Sequence, residues 1–150
     1  MTGSEIQNIL YDGMKALLEA DRASEHPALM PPLSGKVYRK GHRPEQSGQP
    51  QRDKEDIVVA VIAGNDEQIQ KGSCLVNVYI PDTLTTSGAY HQSRRTEMAE
   101  RWLKGVPKAL SRMGDVSFKR SAMILTLEKA EIHQHYASLK MDFKLLNPDY

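Results

Sequence analysis

The chain has 150 residues, 39% of them hydrophobic, with 20 Lys and Arg against 19 Asp and Glu. That is the size and apolar content of one domain, residues 1–150, with a single core, and the balanced charge leaves no footprint for binding nucleic acid through phosphate neutralisation. The lone cysteine, Cys74, excludes an intrachain disulfide and reads as a small core residue.

The N-terminus lacks a basic segment followed by an apolar one, and no apolar run approaches the roughly 18 residues of a membrane span. A soluble protein, not exported by the general route, is expected. Ser4 is a candidate cap for a first helix ending near Asp21 or Arg22, whose residues Ile6, Ile9, Leu10, Met14, Leu17 and Leu18 recur at helical spacing. A connector carrying Pro27, Pro31 and Pro32 follows, and Pro keeps it extended or turned. Residues 35–40 read as a short strand closed by Gly41.

Residues 45–55, EQSGQPQRDKE, contain no apolar side chain and are expected to form an exposed polar loop. Next comes the stretch that organises the chain. IVVAVI at residues 57–62 is β-branched and apolar throughout, the mark of a buried strand. After a polar connection, Cys74, Val76, Val78 and Ile80 alternate with Leu75, Asn77 and Tyr79 until Pro81 ends the run, which predicts a second strand antiparallel to the first. Such a ribbon requires a cover.

Residues 90–113 carry the longest helical signal, with Met98, Trp102, Val106, Ala109 and Met113 on one stripe and Leu103 and Leu110 widening it. Gly105 and Pro107 predict a kink or break there. Residues 122–127 alternate as a further strand. Residues 136–145 alternate most cleanly, with Ala137, Leu139, Met141, Phe143 and Leu145 on one side. The predicted fold is α+β, in the order α-β-β-β-α-β-β: an antiparallel or mixed sheet of about five strands with helices on one face.

No Gly-rich phosphate loop, Walker pattern or nucleophile elbow is present, and no sequence feature calls for a cofactor. His133 and His135 can share one face of a strand with Glu131, the arrangement of a two-histidine metal site, although exposed residues at a strand entrance are the ordinary reading. Glu55, Asp56 and Asp66 flank the first core strand. They read as solubilising charges at strand ends rather than as paired catalytic carboxylates.

Taken together, VYRKGHRP, the polar stretch leading into IVVAVIAG and GSCLVNVYIPD, the helix AYHQSRRTEMAERWLKGV and a closing pair of strands resemble the small tail-completion proteins of long-tailed phages. These are the tail terminators and head-to-tail joining proteins of phages and prophages. The likeness spans residues 36–146, and Pro107 inside the main helix departs from it. It implies a structural, non-enzymatic protein without a cofactor, assembling as a homo-oligomeric ring, commonly a hexamer. Its partners would be tail-tube or head-connector proteins. The implied location is the bacterial host cytoplasm during assembly and then the virion tail or neck, with residues 45–55 reaching a neighbouring ring.

Exposed strand edges together with Tyr38, Tyr79, Trp102 or Tyr136 are the expected inter-subunit surface. Two other classes compete: a monomeric module that takes up a peptide along an open sheet edge, and a metal-dependent enzyme built around His133 and His135. Neither sequence-specific nucleic-acid recognition nor membrane association is expected.

Overall fold

The structure, a computed structural model, describes residues 1–43, 54–65 and 67–146. Helix α1 spans Gly3–Ala23, and its cap is Thr2 rather than Ser4. Thr2 Oγ1 accepts from the Glu5 amide at 3.2 Å while the Glu5 carboxylate accepts from the Thr2 amide at 3.1 Å, so two otherwise orphaned donors are satisfied reciprocally. At the other end Asp21 accepts from the amides of Ala28 and Leu29, which folds the proline-bearing connector back onto the helix.

Strand β1 (Val37–Arg39) runs parallel to β2 (Ile57–Gly64), β2 pairs antiparallel with β3 (Ile69–Pro81), and β3 pairs antiparallel with β8 (Gln134–Leu146). The far side of β8 is shared by β6 (Ser117–Arg120) and β7 (Leu125–Lys129). The sheet therefore has six strands, and it is mixed. A two-stranded ribbon of β4 (Thr83–Leu84) and β5 (Tyr90–His91) leaves the end of β3. The expected helix over residues 90–113 begins later and is broken: α2 is Arg95–Leu103 and α3 is Val106–Ser111. The break falls at Gly105 and Pro107, where Pro removes a helical donor but suits a first turn.

All three helices lie against one face of the sheet. Ile6, Leu10, Met14, Ala99, Leu103 and Leu110 from the helices meet Ile57, Val59, Cys74, Val76, Val78, Ala137, Leu139 and Met141 from the strands. The close approach of α1 to α3 depends on Gly13, where a Cβ would stand 2.6 Å from Leu110 Cδ2. Cys74 sits within this core, and burial, with the Asp142 charge adding to it, pushes its thiol up to about 12. A thiol so placed is a packing residue, not a nucleophile.

Candidate functional site

Two regions beyond the core carry polar chemistry, and they sit at opposite ends of the sheet. At the first, where β2 begins and β3 ends, Asp56 is 1% exposed and Arg43 6%. Arg43 Nε donates to Asp56 Oδ2 at 3.0 Å, the Lys36 amide donates to Oδ1 at 2.9 Å, and Arg43 Nη2 donates to Gln134 Oε1 at 2.7 Å. The guanidinium lies over the Tyr79 ring at 4.2 Å, and Tyr79 in turn packs on Tyr136 at 4.9 Å.

Gly35 makes this geometry possible, because a Cβ there would fall 1.8 Å from Asp56 Oδ1. Beside it Arg95 binds Glu55 with both arms, Nη2 to Oε1 at 2.9 Å and Nε to Oε2, and also donates to the Pro31 carbonyl at 2.7 Å. The reading of Glu55 and Asp56 as solubilising charges is thus overturned: both are buried and ion-paired, and they bind the 31–36 connector, α2 and β8 to the start of β2. Asp66 lies outside the described residues, as do residues 45–53 of the expected polar loop; its last residue, Glu55, is buried rather than exposed.

The two candidate metal histidines, separated by Gln134, engage different partners. His133 adopts φ 52 and stacks on Tyr90 with ring centroids 3.8 Å apart. His135 Nδ1 donates to Asp82 Oδ1 at 2.6 Å. Among the described residues no group of three or more His, Cys, Asp or Glu is placed to hold a metal ion.

The sheet face away from the helices is the candidate interaction surface, and strand register orders it into rows. Leu127, Tyr136 and Tyr79 form one row; Leu125, Ser138, Asn77, Val58 and Tyr38 the next; Lys140, Leu75 and Ala60 a third. Lys119, Asp142, Ser73 and Ala63 follow, then Ser117, Lys144 and Lys71. The face is apolar and aromatic at one end and lysine-bearing at the other.

Leu125 and Leu127 stand 51% and 43% exposed side by side on β7, where isolated apolar side chains would be unremarkable but an adjacent pair next to Tyr136 invites cover. Of the four predicted interface residues, Tyr38 and Tyr136 lie half-buried on this face and Tyr79 lies buried there under Arg43. Trp102 is on the opposite layer, half-buried against the core, so the four do not form one surface.

The expected open edges are capped at two points by helix side chains. Gln7 Oε1 of α1 accepts from the Val61 amide at 3.3 Å, just past the end of β1. Ser111 Oγ of α3 accepts from the Phe118 amide at 2.8 Å and donates to its carbonyl at 3.0 Å, which occupies the outer side of β6. For Leu125, Thr126, Leu127 and Glu128 in β7, no backbone partner other than β8 occurs among the described residues. Sequence reasoning reached the apolar faces through alternation but missed both plugs and the Arg43–Asp56–Gln134 cluster. The one signal for the latter was a pair of carboxylates directly abutting a wholly apolar strand.

No family model matches the chain, and no curated protein sequence matches it. One solved chain, whose title describes no function, superposes over 92% of this chain and 94% of its own length at 14% identity with a TM-score of 0.45. At that score the likeness decides neither fold nor function. No helix among the described residues is long and apolar enough to cross a membrane.

Proposed function

We propose that this chain is a structural virion-assembly protein of a long-tailed phage or prophage, a tail terminator or head-to-tail joining subunit that works as a homo-oligomeric ring and not as an enzyme. Its partners on this reading are further copies of itself and tail-tube or head-connector proteins, met in the host cytoplasm and retained in the tail or neck. The observation that carries the reading is the exposure of Leu125 and Leu127 of β7, beside the half-buried Tyr136, on the strand at the rim of a sheet whose other face is roofed by helices. Copies meeting there bury these side chains, as ring-forming subunits bury heterologous faces.

Light scattering across a concentration series tests this. The expected species has a mass several times 16.9 kDa, and Leu125→Lys with Leu127→Lys dissociates it. A strict monomer at every concentration overturns the reading. A second reading, peptide capture by strand addition, is favoured by the outer side of β7, where Leu125, Thr126, Leu127 and Glu128 have no backbone partner besides β8 among the described residues; it predicts a monomer that binds an extended peptide and loses it when Thr126 is replaced by Pro.

A further inference from the structure

The lysine-bearing end of the open face is a concavity of about 570 Å³, a size typical of ligand sites. Lys71 and Lys144 are directly opposite each other across the β3–β8 ladder, and Lys119 lies one strand further and one row back. Like charges opposed in this way repel. Among the described residues none of the three makes an ion pair, and Asp142 makes none either. The hydroxyls of Ser73 and Ser117 line the same hollow. Three lysines thus rise from neighbouring positions on three adjacent strands, about 5 Å apart from strand to strand, with Asp142 opposite Lys119 in the same hollow but forming no ion pair with any of them among the described residues.

We propose that this hollow receives an acidic peptide segment of a partner protein, two of whose carboxylates settle between Lys71, Lys144 and Lys119. Duplex nucleic acid is the poorer occupant. It is read by a stripe of cations along a basic domain, whereas this chain has a pI near 7.9 and the rows beyond Lys140 add no lysine or arginine from β3 or β8, only Ser138, Asn77, Tyr136 and Tyr79. Strand addition is also excluded at this corner, because Ser111 holds the outer side of Phe118. The segment enters over the face, with its carboxylates on the lysines and a flanking apolar residue toward Leu75.

The proposal stands apart from the self-association reading, which the mass of the Leu125→Lys and Leu127→Lys variant tests separately. Its own test is fluorescence anisotropy of a fluorescein-labelled octaglutamate peptide ending in Phe, against the intact chain in low salt. Saturable binding that weakens with added salt is expected, and Lys71→Gln with Lys144→Gln weakens it about tenfold or more. Lys15→Gln and Lys104→Gln, elsewhere on the surface, leave it unchanged. Should the double variant fail to fold, Ser117→Asp keeps every lysine and sets a carboxylate opposite Lys144; it too must weaken binding. No saturable binding, equal loss in the remote variants, or tighter binding of a 20-base-pair duplex overturns the proposal.

Discussion

The two ends of the sheet carry similar side chains and use them in opposite ways. At the end where β2 starts, charged side chains are paired within the chain: Arg43 with Asp56 and Arg95 with Glu55. At the other, Lys71, Lys119 and Lys144 face open space without an ion-pair partner. A buried pair ties distant pieces of chain into one arrangement, since an unmatched member would be left in a poor dielectric. Exposed unmatched charges do little for stability and remain available to something outside. The difference separates architecture from availability without any motif.

The sharpest way to break this contrast is Asp56→Ala. It strands the Arg43 guanidinium, whose side chain is only 2% exposed, and is expected to cost about 3–5 kcal/mol in urea unfolding. Gly35→Ala drives a methyl into the same carboxylate and is expected to cost about 1–3 kcal/mol, the usual range for overpacking. Glu55→Gln touches a pair whose arginine side chain is 25% exposed, and screening reduces the loss to about 1 kcal/mol. Lys71→Gln and Lys144→Gln, by contrast, are expected to leave stability within about 0.5 kcal/mol while relieving a repulsion.

Cys74 gives the smallest effect, zero at neutral pH. Burial holds its folded thiol at about 12, above the ordinary thiol value of 9.0, so from pH 9 upward the unfolded chain releases a proton that the folded chain retains. Stability contributed by the neutral thiol is therefore complete below pH 9 and lost as pH rises toward 12. Unfolding of the wild type should fall more steeply over that window than unfolding of Cys74→Ala; parallel curves would contradict it.

Much of the architecture was readable because burial leaves a periodic trace. The IVVAVI run, the alternation through Ile80, the stripe of α1 and the interruption at Gly105 and Pro107 each report local geometry. Strand β6 left almost none, since SFKR has one apolar residue, Phe118, and depends on its neighbours for strand form. The sealed cluster was hidden for a different reason. Arg43 and Gln134 are 91 residues apart, and nothing in a linear string says that a carboxylate before a strand will find a guanidinium from a distant turn. The sheet plugs were equally silent, because Gln7 and Ser111 look like ordinary polar helix residues until the packing brings them to a strand.

Those two plugs bear on how copies can be joined. Gln7 holds the Val61 amide of β2 just past β1, and Ser111 holds Phe118 of β6, so a strand added laterally at either position would have to displace a helix side chain. Pairing between copies is thereby opposed at those two positions, while no such cap occurs along Leu125, Thr126, Leu127 and Glu128 of β7 among the described residues.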